Sequence, residues 1–369
     1  MVDKYLIEII LITLITFVFT ALIMPGIIRV AKHINAIDIP KDNRRVHTKP
    51  IPKLGGLGIF FGFLFGYMLF GVHSIQMNSI LIGSFIIIIT GIIDDINPIS
   101  AKWKLLGQIC AGLSIIFYGN ILLNEITVFG QCIKFGIWAY PITLGFILGC
   151  VNVINLIDGL DGLSSGITSI SLATIGIIAF IQGRQGTLEI TLVFIMLGSV
   201  LGFLLHNFNP AKIFAGDTGS MFMGFIIAVV SLLGFKGAMF LSFMVPLAIL
   251  AIPILDTFFA ICRRMIKKKP IFEADKDHMH HQLLKMNFSQ RKTVLVIYFI
   301  NILFSAAAIL FTVGDSKMAI IIYFILLILA IWFILHTGIL SQNISDRIKC
   351  FEDNFLGKQK KKKNKKQSV

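Results

Sequence analysis

Charge is what this chain has least of. Only 14% of its 369 residues are Asp, Glu, Lys or Arg, whereas ordinary soluble domains carry roughly 25%. Together with 56% hydrophobic residues and a mean hydropathy of +0.87, that scarcity excludes a soluble globular protein and marks an integral membrane protein. Cysteine is sparse as well. Cys110, Cys132, Cys150, Cys262 and Cys350 form no C-x-x-C pair, and three of them fall in or beside apolar runs, so they read as packing residues.

What the chain has in abundance is apolar stretches of membrane length, which needs about 20 residues each. Eleven are expected, at 5–24, 54–71, 79–95, 105–120, 138–157, 164–182, 188–206, 219–235, 239–261, 293–313 and 318–336. The fold class is therefore an all-α polytopic membrane protein. Residues 1–340 are expected to form one helical domain and 341–369 a basic, disordered cytoplasmic tail ending in "KQKKKKNKKQSV". With the N-terminus outside and the C-terminus inside, every Lys and Arg except Lys4, Lys134, Arg184, Lys236 and Lys317 falls on the cytoplasmic side, as the positive-inside rule requires. The first span is followed by its basic cluster and shows no small-residue cleavage pattern, so it is expected to be retained. A net charge of +14 beside helix ends suits anionic headgroups, and no nucleic-acid partner is expected. Outside, "ITVFGQCIKFG" alternates around Gly130 as a short β-hairpin would.

The carboxylates are distributed unequally. Asp38, Asp42, Asp94, Asp95, Asp158, Asp161, Asp217, Asp256, Asp275 and Asp277 all fall at inner span ends or in inner loops. Ionisable groups at membrane depth mark sites or polar pathways. In "NVINLIDGLDGLSSG" the three-residue spacing puts Asn152, Asn155 and Asp158 along one side of a helix end. Gly159 and Gly162 allow the helix to stop there and Asp161 to turn back towards the same pocket. In "GIIDDINP", Asp94 and Asp95 are adjacent, and adjacent carboxylates repel one another unless a metal or a cationic group lies between them. Lys102 and Lys104 follow at the inner mouth, where flexible point charges suit phosphate.

The third segment, "NPAKIFAGDTGS", opens a span. Gly216 and Gly219 permit close backbone approach, and a helix N-terminus beginning there favours an anion. Asp217 beside phosphate suggests Mg²⁺, which takes one or two carboxylates, substrate phosphates and water. In the longest inner loop, "EADKDHMHHQL" carries His278, His280 and His281. Hydrogen bonding to phosphate or sugar is preferred to a zinc site, because adjacent His280 and His281 do not readily share a face. The chemistry that suits these groups joins two anionic phosphates beside a divalent ion. A transporter would instead need polar residues on a path to the outer face, where only Glu8 and Glu189 are conspicuous.

Taken in order, "GIIDDI", "NVINLIDGLDGL", "FAGDTGS" and "DHMHHQL", with "DIPKDNRRVHTKPIPKLGG" before them, resemble the polyprenyl-phosphate N-acetylhexosamine-1-phosphate transferases. The branch that is most similar transfers N-acetylglucosamine 1-phosphate from a UDP-sugar to undecaprenyl phosphate, beginning teichoic acid, O-antigen or related glycan synthesis. The muramoyl-pentapeptide relatives are the alternative, but their histidines typically run consecutively, whereas Met279 interrupts them here. The resemblance implies Mg²⁺, with Mn²⁺ as a substitute, held by Asp217 with Asn155. It implies catalytic roles for Asp94, Asp95, Asp158 and Asp217, with the lipid phosphate near Asp94 and Asp95. Substrate contacts are implied for Lys102, Lys104, Asn152, Asp161, His278, His280 and His281, and for Arg44 and His47 in the first inner loop. A cytoplasm-facing site in the bacterial inner membrane follows, with a homodimer admissible.

Overall fold

The structure is a computed structural model and describes residues 2–40, 49–128, 131–234, 286–313 and 316–336, with residues 254, 255, 258, 283 and 284. Ten helices are present among them: α1 (Val2–His33), α2 (Gly55–Phe70), α3 (Ile75–Ile96), α4 (Ala101–Leu113), α5 (Ala139–Ile157), α6 (Leu163–Ile181), α7 (Leu188–Asn207), α8 (Gly216–Gly234), α9 (Gln290–Val313) and α10 (Ser316–His336). Each corresponds to one expected span, and the remaining span, 239–261, lies outside the described residues except for 254, 255 and 258. Seven of the described helices are long and apolar enough to cross a membrane. Helices dominate because a backbone in hydrocarbon must satisfy its own hydrogen bonds.

Two boundaries differ from expectation. α1 continues through Pro25 to His33, well beyond residue 24. Proline is tolerated in membrane helices whose neighbours support them, and α1 lies along α7 and α2. α4 ends not in α-helix but in a π-helical turn, Ser114–Tyr118. The expected hairpin is present as β3 (Glu125–Val128) paired antiparallel with β4 (Gln131–Lys134), from Glu125 opposite Lys134 to Val128 opposite Gln131. A smaller pair joins β1 (Ile37–Asp38) to β2 (Ile51–Pro52).

α8 is the axis of the bundle. Every residue from Thr218 to Leu232 is buried, which fits a helix that is apolar on all sides and packed among α2, α3, α5, α6 and α7. Small residues let the backbones meet. A Cβ on Gly91 of α3 would lie 2.4 Å from the Thr218 Cα, and one on Gly56 of α2 would lie 2.1 Å from the Gly219 N. The backbone of residues 51–56 also docks onto the turn before α8. Phe214 N donates to Pro52 O at 2.8 Å, Gly55 N to Phe214 O at 2.9 Å and Gly56 N to Ala215 O at 2.9 Å. These contacts place the C-terminal ends of α3 and α5 and the N-terminal ends of α4, α6 and α8 at one end of the bundle.

Candidate active site

Lys104, in the first turn of α4, sits between two carboxylates from different helices. Its Nζ lies 2.8 Å from Asp94 Oδ2 and 2.5 Å from Asp217 Oδ2. The side chains of Lys104 and Asp217 are each 27% exposed and that of Asp94 only 9%, so the cluster opens to solvent on the Lys104–Asp217 side. The second oxygen of Asp94 accepts Ile99 N at 2.9 Å, tying the α3–α4 turn to the same carboxylate. Burial opposes the charge on Lys104, but the carboxylates of Asp217 and Asp94 outweigh it and hold the ammonium above the ordinary lysine range.

Asp95 is adjacent in sequence but has a different task. Its Oδ1 accepts Asp217 N at 3.0 Å, and its Oδ2 accepts Thr218 N at 3.0 Å and Thr218 Oγ1 at 2.6 Å. A helix start leaves its first N–H groups without partners, and here a buried carboxylate from α3 supplies them. The anion expected at this N-terminus is therefore a protein group. Gly216 makes the arrangement feasible, because its φ of +69° suits glycine and a Cβ there would meet Asp95 Oδ2 at 2.3 Å.

α5 contributes its two asparagines. Asn155 Nδ2 donates to Ser220 Oγ at 2.8 Å, and Ser220 Oγ donates to Gly216 O at 2.9 Å. Asn152 Nδ2 donates to Leu148 O and to Gln108 Oε1, both at 2.8 Å. α5 stops at Ile157 and the chain turns through Gly162, at φ +80°, into α6. Asp158 accepts Ser164 Oγ at 2.5 Å. Desolvation, with the charges of Asp217 and Asp161, pushes the Asp158 carboxyl up to about 7 against the bond from Ser164.

Asp161 does not turn into this pocket as expected. Its Oδ2 accepts Asn209 Nδ2 at 2.8 Å and Ala211 N at 3.0 Å, so it clasps the turn before α8. Asn209 Nδ2 also reaches Gln290 Oε1 at 2.8 Å, and Arg291 Nε donates to Asn209 O at 2.9 Å. Lys102 is exposed and lies outside the Lys104 cluster, since two residues along a helix turn through slightly more than half a revolution. Arg44, His47, His278, His280 and His281 lie outside the described residues.

Sequence reasoning missed Gln108, Ser164, Asn209, Thr218 and Ser220. A buried glutamine one turn after Lys104 in an apolar helix was the available signal for Gln108. The others are neutral residues whose partners lie on other segments. Among the described residues no group of three or more His, Cys, Asp or Glu could hold a metal. A fully protein-built cage is thus absent among them, but Mg²⁺ needs only one or two carboxylates with phosphate and water. The convergence of the Asp94 and Asp217 oxygens on one cation, with the Asn155 amide beside Asp217, fits that requirement.

Residues 77–235 match the family model described as glycosyl transferase family 4. The chain is 39% identical to the probable undecaprenyl-phosphate N-acetylglucosaminyl 1-phosphate transferase of Bacillus subtilis over 89% of its own length and 92% of that protein. It is 32% identical to the decaprenyl-phosphate N-acetylglucosaminephosphotransferase of Mycobacterium leprae, covering 77% of this chain and 78% of the relative. With the undecaprenyl-phosphate alpha-N-acetylglucosaminyl 1-phosphate transferase of Escherichia coli K12 the identity is 29%, over 81% of each chain.

Proposed function

Because the chain belongs to glycosyl transferase family 4, the polyprenyl-phosphate N-acetylhexosamine-1-phosphate transferases, we propose that it transfers N-acetylglucosamine 1-phosphate from UDP-N-acetylglucosamine to undecaprenyl phosphate. UMP leaves, and a lipid-linked pyrophosphoryl sugar remains. The observation that carries this reading is the bridge from Asp94 through Lys104 to Asp217 at one mouth of the bundle.

A phosphate monoester has a second pKa of about 6 and is already largely ionised near neutrality. Its oxygen can therefore attack the β-phosphorus of the donor without a strong base, and the task left to the protein is alignment and charge neutralisation. Lys104 is placed to meet the pyrophosphate as a partly exposed ammonium. Asp94 positions Lys104, and Asp95 fixes the start of α8 and hence Asp217. Asp217 with Asn155 would hold Mg²⁺. When bound, the ion supplies the positive charge that lets two anionic phosphates approach. Asn152 and Asp158 are assigned to the nucleotide sugar. In the full arrangement eleven spans cross a bacterial inner membrane with the N-terminus outside, and the site faces the cytoplasm, where the donor is found.

Detergent-purified protein is expected to release UMP from UDP-N-acetylglucosamine only when undecaprenyl phosphate and Mg²⁺ are both supplied. Release from UDP-muramoyl-pentapeptide at an equal or higher rate would reassign the sugar.

A further inference from the structure

Gln108 lies behind the Lys104 cluster and ties three helices together at one depth. It is 3% exposed, one turn after Lys104 on α4. Its Oε1 accepts Asn152 Nδ2 from α5 at 2.8 Å, and its Nε2 approaches Met221 Sδ at 3.4 Å, one turn after Asp217 on α8. A carboxamide is a two-sided group whose NH₂ end donates two hydrogen bonds and whose oxygen accepts two. Both donors of Asn152 are taken, one by Gln108 and one by Leu148 O. Its oxygen has only a 3.5 Å contact with Gln108 Nε2. Asn152 can therefore offer an incoming ligand an acceptor and nothing else.

We infer that Gln108 is a positioning residue that locks the Asn152 carboxamide with its oxygen available, so that Asn152 accepts an N–H or O–H of the nucleotide sugar. The inference rests on the transferase reading above and assigns it a residue outside the acidic motifs. Without the Gln108 acceptor, one Asn152 donor is orphaned and the amide is free to turn over, presenting the wrong end to the ligand.

The test is a double-mutant cycle in the full-length detergent-solubilised protein, with KM measured separately for each substrate. Gln108→Met is expected to raise the KM for UDP-N-acetylglucosamine about tenfold, the value of one hydrogen bond of about 1.4 kcal/mol. It should leave kcat and the KM for undecaprenyl phosphate within about threefold. Asn152→Ala is expected to raise the same KM comparably, and the double variant no further, because the two act through one amide. An unchanged KM in Gln108→Met, or effects that multiply in the double variant, would overturn the inference. Gln108→Leu carries the same comparison if Gln108→Met does not fold, and failure of both to fold would overturn it by making Gln108 a packing residue. Wild-type protein that forms no lipid-linked product refutes the transferase reading itself, whereas active wild type with an unaffected Gln108→Met refutes only this inference.

Discussion

At the scale of single residues, Lys104 and Asp158 carry the sharpest consequences. Lys104 neutralises two carboxylates that would otherwise face each other. Lys104→Met is expected to lower kcat/KM by at least about 100-fold, the order seen when a single charge-stabilising donor is lost, with UMP release as the measurement. Burial pushes the Asp158 carboxyl up to about 7 in the folded protein, whereas an unfolded carboxyl titrates near 4. Between those values only the folded state holds the proton, so the contribution to stability is complete below about pH 4, is lost progressively as the pH rises, and is gone once the pH has passed about 7. Asp158→Asn mimics the protonated form. In EDTA, wild type should therefore unfold at a lower temperature than Asp158→Asn at pH 8, and the gap should narrow steadily below about pH 7 and close only as the pH approaches about 4. A gap that widened on acidification would contradict the assignment.

At the scale of elements, what matters is how closely helix backbones approach around the start of α8. A methyl group on Gly56 would collide with Gly219 backbone atoms, which cannot rotate aside, whereas one on Gly145 meets nothing within 4 Å. Gly56→Ala should abolish folded protein or activity, and Gly145→Ala should be silent in yield and turnover. This contrast also separates what was legible in the sequence from what was not. The helices themselves were legible, because apolar runs of membrane length leave little choice of structure. Asp94, Lys104 and Asp217 could be singled out because charge is rare in such runs. That Asp95 caps α8 could not be, since its donors lie 122 and 123 residues away. Asp161 was expected in the pocket because Gly159 and Gly162 let the helix stop and the chain turn back, and its real partners, Asn209 and Ala211, belong to a turn whose path no local pattern predicts. Gln108, uncharged, gave no electrostatic signal.

At the scale of the whole molecule, the proposed topology puts the hairpin outside and the Asp94–Lys104–Asp217 cluster inside. In a cysteine-free background, single cysteines at positions 134 and 102, both exposed, should separate the two sides. A membrane-impermeant maleimide applied to intact cells is expected to label position 134 and to reach position 102 only after lysis. Labelling in the opposite sense would invert the orientation and move the site away from the donor nucleotide.

Three donors at the start of one helix converge on a single carboxylate lent by another, so the two segments are heritable only as a matched set. A chimera that grafts residues 209–220 of a relative without an acceptor-compatible partner at position 95 should accumulate poorly in membranes. Exchanging both segments together should restore its yield.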